Sequence, residues 1–263
     1  MENIISSPQN EKIKKIIKLQ KAHERRKQNL IIIEGEREIK MAIDSEIEIV
    51  DFFYCPEIIG GAKTPAWLPI ETNIVSELVF QKIAYKENPD GFLALARPKY
   101  LAPEEIKLSK NPIIIILEAV EKPGNLGAIL RTAHAAGVDA VIINDPQTDI
   151  YNPNVIRASM GHIFSKQTVV MSIDETIKWL KSNKIKALAT TITAKKFYHQ
   201  VDLSTPFAII MGTEKFGIST KWLDEIKTEI KIPMKDNIDS LNVSVSTAII
   251  IYEGQRQRDF VDF

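Results

Sequence analysis

The stretch IPMKDNIDSLNVSVSTAIIIYE, residues 232–253, runs from a polar loop directly into an apolar helix. The loop and the first helical turn supply a set of hydrogen-bonding side chains: Asp236, Asn237, Asp239, Ser240, Asn242, Ser244 and Ser246. The residues that follow carry enough apolar surface to bury the helix in a core. Because polar groups close to a core need assigned hydrogen-bond partners, we expect the loop to be a site held by the fold.

The region before this stretch alternates buried strands with helices. Residues 113–117, IIIIL, are five consecutive apolar residues, which is typical of a parallel strand covered on both faces. Further strands are predicted at 140–143, 166–171, 187–191, 207–211 and 229–232, and helices at 125–136, 154–160, 173–182, 220–226 and 243–255. This alternation predicts an α/β fold, with a parallel sheet and helices on both faces.

The N-terminal part of the chain has the pattern of a smaller α/β module. A helix is predicted at 10–29, where isoleucines recur at helical spacing with lysines between them. Its strands are predicted at 30–33, 47–54 and 91–96. Residues 97–112, RPKYLAPEEIKLSKNP, hold three prolines and little apolar content, which indicates a linker. We therefore predict a domain at 1–97, a linker at 98–111 and a second domain at 112–263.

The formal net charge of the 263-residue chain is zero, but the charge is unevenly distributed. Residues 11–27 contain eight lysines and arginines against two glutamates. Such a stripe binds a polyanion even in a neutral chain, because salt limits each charge's field to roughly 8–10 Å. A solvated helix face with no ligand is the alternative reading of the same pattern.

Cysteine content and hydropathy limit where the protein acts. The single cysteine, Cys55, excludes an intramolecular disulfide and supplies no thiolate cluster for zinc, so we expect no metal site. No apolar run approaches the roughly 18 residues of a membrane span, and the N-terminus lacks the pattern of a signal peptide. We expect a cytoplasmic protein with no membrane partner.

Polar or glycine-rich loops follow three of the predicted strands, at the edge where parallel sheets bind ligands. These loops are EAVEKPGNLGAILR at 118–131, MGTEKFG at 211–217, and the polar loop within 232–253. Asn125 is a candidate helix cap, and it converges with Arg131, six residues later, only if it precedes the helix. A cap with a surface arginine, and an ordinary strand-to-helix turn, are the alternatives for the first two loops. Neither loop matches GxGxxG or GxxxxGK[ST].

Taken together, the three loops resemble a known family in order and spacing. PGNLGAILRTA at 123–133, IMGTEKFGIS at 210–219 and IPMKDNIDSLNVS at 232–244 are similar to the three motifs of the SpoU/TrmH family of RNA 2'-O-ribose methyltransferases. The resemblance covers residues 112–257. The N-terminal module, with IEGEREIKMAI and GFLALA, resembles the L30e-like substrate-binding domain attached to many members.

The resemblance implies a C-terminal deep trefoil knot, a rare exception to the rule against threaded loops. It also implies a homodimer formed through the knotted domain and S-adenosylmethionine as cofactor. The implied cofactor-binding residues are Thr191, Gly212, Ile232 and Leu241. The implied catalytic residues are Asn125, Arg131, Glu214, Ser240 and Asn242. With an RNA-modifying fold, the basic helix gains candidate RNA-binding residues, which are Lys14, Lys15, Lys18, Arg25 and Arg26.

The implied residues fit methyl transfer, because the reaction depends mainly on positioning a nucleophile in line with a held methyl donor. A guanidinium is not deprotonated in proteins, so we hypothesise that Arg131 stabilises the developing alkoxide or grips the 3'-phosphate. The sequence departs from the family at Lys122, where an acidic residue is common. It departs again at Lys215 and Phe216, where glycine is frequent after the motif glutamate.

The sequence therefore predicts an enzyme that methylates the ribose 2'-hydroxyl of structured RNA. Ribosomal RNA is favoured over transfer RNA because the extra N-terminal module suits a larger target, and no DNA partner is expected. A non-catalytic RNA-binding protein of the same fold is the alternative from another class, and a small-molecule methyltransferase is a more distant one. The complete set of catalytic residues favours the enzyme.

Overall fold

The computed structural model describes residues 4–60, 65–69, 71–213, 215–235 and 240–261. Its strands are β1 Ile31–Glu34, β2 Ile49–Tyr54, β3 Asn73–Ile74, β4 Phe92–Ala96, β5 Ile113–Glu118, β6 Ala140–Asn144, β7 Gln167–Val170, β8 Lys186–Thr190, β9 Lys196–Phe197, β10 Phe207–Met211 and β11 Glu229–Lys231. Its helices are α1 Glu11–Leu19, α2 Ala22–Gln28, α3 Glu36–Asp44, α4 Glu77–Ile83, α5 Pro123–Ala135, α6 Pro153–Ala158, α7 His162–Ser165, α8 Ile173–Ser182, α9 Thr220–Glu225 and α10 Val243–Gln257.

The chain divides into two compact units. The first contains the residues up to Lys99 together with Tyr151–Ser165, and the second contains Tyr100–Ile150 and the residues from Lys166 onward. The predicted domains, 1–97 and 112–263, stay a prediction. The compact units differ from that prediction in two respects: Tyr151–Ser165 belongs to the first unit and not to the second, and residues 98–111 are divided between the units after Lys99.

The first unit is built on a sheet with the strand order β1-β4-β2-β3. Strand β4 pairs antiparallel with β1 and β2, and β3 runs parallel to β2. Its core joins the apolar faces of α1 and α4 to β2 and β4, through residues such as Ile16, Phe53 and Phe80. The late segment Tyr151–Ser165 packs in this unit, where α6 contacts β1 and α7 contacts α3.

The predicted single helix at 10–29 is wrong, since α1 and α2 are separate helices. The break lies at Gln20 and Lys21, and the guanidinium of Arg25 donates from Nη1 to the carbonyls of Leu19 (3.0 Å) and Gln20 (2.9 Å). It thereby satisfies carbonyls that the end of α1 leaves without an intrahelical partner. Arg25 is only 3% exposed, so the structure gives it a structural role instead of a place on the predicted RNA-binding surface.

The second unit confirms the predicted α/β architecture. Among the described residues it holds a sheet of seven strands in the order β7-β6-β5-β10-β8-β11-β9, and every pairing is parallel. Strands β5 and β10 lie side by side in the middle and are buried along their whole length, as their apolar runs predict. Helices flank the sheet, while the trefoil knot stays a prediction.

Helix α10 packs against α5 and, at Gly254, against Phe207 of β10. Gln255 donates from Nε2 to the carbonyl of Ala136 (2.6 Å), which ties the second half of α10 to the end of α5. At Gly254 a Cβ would lie 2.6 Å from the ring of Phe207 on β10, so the helix approaches the sheet where only glycine fits. None of the helices in the described ranges combines the length and apolar content that crossing a bilayer would require.

Replacing Arg25 with alanine should lower the free energy of unfolding by about 2 kcal/mol, because two buried carbonyls lose a charged donor. Urea denaturation of the full chain, followed by circular dichroism, measures the change. Arg26→Ala is the matched control, because Arg26 is the exposed neighbour on α2 and should change stability by less than about 0.5 kcal/mol. Equal effects of the two substitutions would contradict the structural role of Arg25.

Candidate active site

A cavity of about 440 Å³ lies in the second unit at the carboxyl ends of β8, β10 and β11, beside the start of α10. This volume falls in the range of roughly 300–1,000 Å³ that is usual for small-molecule sites. The four residues predicted to bind the cofactor, Thr191, Gly212, Ile232 and Leu241, all line it, and so does Ser240 from the predicted catalytic set. Its interior wall is apolar, with the buried side chains of Met211, Ile218, Ile230 and Ile250.

The turn after β10 is held tightly closed. Thr213 and Gly217 exchange backbone hydrogen bonds of 2.9 and 3.0 Å, and Gly217 has a φ of 68°, which favours glycine. A Cβ at Gly212 would overlap the Gly217 carbonyl and lie 2.5 Å from the backbone nitrogen of Ile218. Gly212 is therefore required for the backbone to fold back on itself beside the cavity. The predicted catalytic residue Glu214 lies outside the described residues.

The end of β8, the strand next to β10, also lines the cavity, and neighbouring strands hold its threonine side chains. Thr190 donates from its hydroxyl to the carbonyl of Ile210 (2.7 Å). Thr191 donates from its backbone nitrogen to the carbonyl of Ile230 (3.0 Å) and from its hydroxyl to Oε2 of Glu229 (2.6 Å). These bonds join β8, β10 and β11 at the cavity edge, so that this wall is set by the sheet itself.

The third loop ends at Asn242, the residue that precedes α10. Its Oδ1 accepts from the backbone nitrogen of Ser244 (2.9 Å) and from the Ser244 hydroxyl (2.6 Å), which caps the helix. Its Nδ2 donates to Oδ1 of Asn125 at the start of α5 (3.1 Å). The structure thus brings together two predicted catalytic residues that are 117 positions apart. Asp236, Asn237 and Asp239, from the same loop, lie outside the described residues.

Helix α5 corrects the expectation for Asn125. Lys122 is the N-cap position, and Asn125 lies inside the helix as its third residue, so it does not cap α5. Asn125 and Arg131 are consequently separated by about 9 Å along the axis and about 120° around it. Arg131 is exposed and does not line the cavity. Further along α5, partial burial and the nearby Lys166 lower the pKa of His134, which also lies outside the cavity wall.

Two features of the site were not predicted from the sequence. Glu118, at the end of β5, is buried and accepts a 2.9 Å hydrogen bond from the backbone nitrogen of Ser219, which anchors the segment leading into α9. The signal in the sequence that could have pointed to Glu118 was a carboxylate directly after a strand predicted to be fully buried. The second feature is the charge of the cavity wall, because Lys215 and Lys231 are its charged side chains in the part of the chain that the structure describes. Those described residues also contain no cluster of side chains that could hold a metal ion.

Fold and site together define a parallel α/β protein that holds a small molecule beside a loop of polar side chains. The model of the SpoU rRNA methylase family matches residues 112–252, and the model of the MRM3-like substrate binding domain matches residues 10–94. The chain therefore belongs to the SpoU rRNA methylase family.

Relatives and solved structures agree over almost the whole chain. The 23S rRNA (guanosine(2553)-2'-O)-methyltransferase RlmP of Bacillus subtilis is 31% identical, over 94% of this chain and 97% of the relative. A crystal structure of an RNA 2'-O ribose methyltransferase superposes with a TM-score of 0.85 at 38% identity, covering 97% of this chain and 99% of the other. The AdoMet-bound rRNA methyltransferase from Sinorhizobium meliloti has a TM-score of 0.85 at 26% identity and 97% coverage of both chains.

Replacing Asn242 with alanine should lower the free energy of unfolding by about 1 kcal/mol, because α10 loses its side-chain cap. Thermal and urea denaturation measure the loss. Asn242→Ser keeps a capping hydroxyl but is too short to reach Asn125, so its stability should stay within about 0.5 kcal/mol of the wild type. A serine variant as unstable as the alanine variant would show that capping is not what Asn242 contributes to stability.

Proposed function

We propose that this chain transfers a methyl group from S-adenosylmethionine to a ribose 2'-hydroxyl of ribosomal RNA. One observation carries the proposal: a single cavity is lined by all four residues that the family motifs assign to the cofactor. The Asn242 side chain next to that cavity contacts Asn125, a second motif residue, so polar groups suited to a substrate adjoin a site suited to a cofactor. This combination favours an enzyme over a non-catalytic RNA-binding protein.

The cavity fits S-adenosylmethionine in size and in chemistry. Its apolar interior suits a nucleobase, and Gly212 contributes backbone polar groups to its wall. Gly212, Ile232 and Leu241 would hold the cofactor, with Thr191 at its edge. When bound, S-adenosylmethionine supplies a methyl group on a positively charged sulfur.

The polar residues beside the cavity are proposed to position the ribose. The 2'-oxygen must lie in line with the donated methyl group, and holding that geometry supplies much of the rate. Ser240 lines the cavity and is exposed, so its hydroxyl is accessible to a ribose. The hydrogen bond between Asn242 and Asn125 fixes one edge of this region, because it joins the first turns of two packed helices.

Arg131 is proposed to act on the RNA and not on the cofactor. It is exposed on α5, outside the cavity wall, in a position open to an incoming substrate. A guanidinium stays charged, so it stabilises the alkoxide that develops on the 2'-oxygen or binds the adjacent 3'-phosphate. Glu214 completes the proposed catalytic set as a residue that orients Arg131.

The names of the relatives support 23S ribosomal RNA as the substrate, which would place the protein in the cytoplasm. The Bacillus subtilis relative is a 23S rRNA methyltransferase, and so are the Coxiella and Bordetella RlmB proteins at 33–35% identity. In the first unit, Lys18 and Arg26 are exposed, while Lys15 is half-buried and Lys14 forms an ion pair with Glu11 (3.0 Å). These four remain the proposed phosphate contacts of the substrate-binding module.

We also propose that the protein works as a homodimer through its second unit. Helix α10 leaves Val245 and Tyr252 47% and 40% exposed, and Ile249 between them is half-buried. Positions i, i+4 and i+7 lie on one face of a helix, so these side chains form an apolar stripe at the surface. The opposite side of α10 is already packed against α5 and the sheet, which leaves the stripe for a second copy.

Gly212→Ala should weaken the binding of S-adenosylmethionine by at least about tenfold, because the added Cβ displaces the turn that forms the cavity wall. Isothermal titration calorimetry measures the affinity, and circular dichroism checks that the variant is folded. Gly124→Ala is the control, since nothing lies within 4 Å of a Cβ built there. Unchanged affinity in a folded Gly212→Ala protein would place the cofactor somewhere other than this cavity.

Mapping of 2'-O-methylation in total RNA, with and without the gene, tests the proposed function directly. We expect one or a few 23S rRNA riboses to lose methylation in its absence and to regain it with the wild-type gene. An Arg131→Lys gene should restore methylation poorly, with turnover in vitro roughly tenfold to 100-fold lower and cofactor affinity intact, because lysine lacks the planar fork.

Loss of methylation in transfer RNA alone would establish the alternative substrate. Unchanged methylation of all RNA, together with normal binding of the cofactor, would favour a methyltransferase for small molecules. Unchanged methylation without cofactor binding would favour the non-catalytic RNA-binding protein.

A further inference from the structure

Phe216 is an aromatic residue on the cavity wall that has no role in the proposed mechanism. It lines the cavity, yet its side chain is 76% exposed, in contrast to the buried apolar residues of the interior such as Ile218 and Ile230. Single exposed apolar side chains are common on protein surfaces and need no explanation. Three further observations on this ring nevertheless point to a ligand.

The first observation is that a hydrogen bond holds the backbone of Phe216. The backbone nitrogen of Phe216 donates to the Thr213 hydroxyl (2.9 Å), directly beside the paired Thr213 and Gly217 backbones. Next to it, the backbone of Gly212 lies close to that of Gly217 and Ile218. The Phe216 side chain is thus exposed to solvent, while a hydrogen bond holds its backbone in place.

The second observation is the charge beside the ring. The ammonium of Lys215 lies 4.8 Å from the centroid of Phe216, in a cation–π contact. This contact covers one side of the ring and leaves the remainder exposed. A flat apolar face with a cation next to it matches the two parts of a nucleotide, a base that stacks and a phosphate that carries charge.

The third observation is the position of the ring relative to the cavity. Ile192, Leu223 and Met234 also line the cavity while remaining 64%, 37% and 36% exposed, so apolar groups surround its opening. Lys231 adds a second positive charge to the wall. A strand of RNA that delivers a ribose to this cavity would pass over Phe216 and Lys215.

We propose that Phe216 stacks on a nucleobase of the substrate RNA at, or next to, the methylated nucleotide, and that Lys215 binds a neighbouring phosphate. The assignment rests on the proposed function, because it names a substrate contact for that reaction. Both residues depart from the glycine-rich pattern of the family motif, so they would distinguish the RNA choice of this chain from that of relatives. Proteins recognise unpaired RNA bases in this way, by stacking them on aromatic rings.

The experiment uses the full-length protein with ribosomal RNA prepared from a strain that lacks the gene. Phe216→Ala removes the ring, Phe216→Leu keeps an apolar side chain without a π face, and Phe216→Trp keeps an aromatic face. Lys215→Ala tests the phosphate contact, and Val261→Ala truncates another exposed apolar residue, outside the cavity wall, as the matched control. For each protein, KM for RNA and kcat are measured, together with equilibrium affinities for RNA and for S-adenosylmethionine.

The alanine and leucine variants should each raise KM for RNA and weaken RNA affinity by roughly fivefold to 100-fold, with cofactor affinity unchanged. Phe216→Trp and Val261→Ala should behave as the wild type, and Lys215→Ala should flatten the salt dependence of RNA binding. Wild-type RNA affinity for Phe216→Ala, or for Phe216→Leu, would overturn the stacking role. Weakened cofactor binding with normal RNA affinity would overturn it as well, because the ring would then cover the cofactor. The RNA affinities test the stacking role of Phe216 even if the protein methylates no RNA. Absence of methylation would contradict the proposed function and would leave the test of stacking valid.

Discussion

The side chain of Asn242 is the contact on which the arrangement of the site depends. Its oxygen caps α10, and its nitrogen binds Asn125 in the first turn of α5. The same residue ends the loop that supplies Ser240 and Leu241 to the cavity. A short amide side chain therefore links the first turn of the last helix to the first turn of α5, at the end of the loop that supplies Ser240 and Leu241. Truncating it would remove both the cap and this link, although Asn242 is not itself among the residues that line the cavity.

The cavity depends on a different constraint, which is backbone geometry. Gly212 and Gly217 permit a turn in which the chain doubles back with no side chain between its two arms. Hydrogen bonds from Thr190 and Thr191 hold the end of β8, which also lines the cavity, to β10 and β11. Backbone pairing and threonine hydroxyls thus set the shape of the inner cavity. The proposed RNA contacts, Phe216 and Lys215, are exposed residues on the wall of the same cavity.

Sequence patterns predicted the second unit well because its signals are strong and local. Five apolar residues in a row at 113–117 predict a strand buried on both faces, and β5 is such a strand. Because parallel strands bring their carboxyl ends to one edge, the loops that follow them were the expected place for a ligand. The resemblance of these loops to the family motifs implied which of their residues would lie at the cavity. The failures are those in which a side-chain or tertiary contact overrides local preference. The break between α1 and α2 is stabilised by Arg25, which the periodicity of 10–29 does not reveal.

Other details were hidden from the sequence for similar reasons. Tyr151–Ser165 has the pattern of an ordinary helix in an α/β repeat, and only its packing shows that it belongs with the first unit. At Gly161, which has a φ of 81°, a Cβ would lie 2.8 Å from that of Met41, a contact between residues 120 positions apart. Asn125 has the residue type of a cap, yet proline at the first position of α5 starts the helix two residues earlier. In each case either the deciding contact joins residues far apart in the sequence, or two nearby residues, such as Pro123 and Asn125, compete as the start of a helix.

The cavity beside Gly212 is proposed to hold the methyl donor within reach of the Asn125 and Asn242 pair. A crystal structure of the protein with S-adenosylhomocysteine, the demethylated product, tests this placement. We predict ligand density in the cavity, in contact with Gly212, Ile232 and Leu241, with its sulfur on the side of Ser240. Ligand bound at any other place on the chain, with this cavity empty, would contradict the proposed cofactor site.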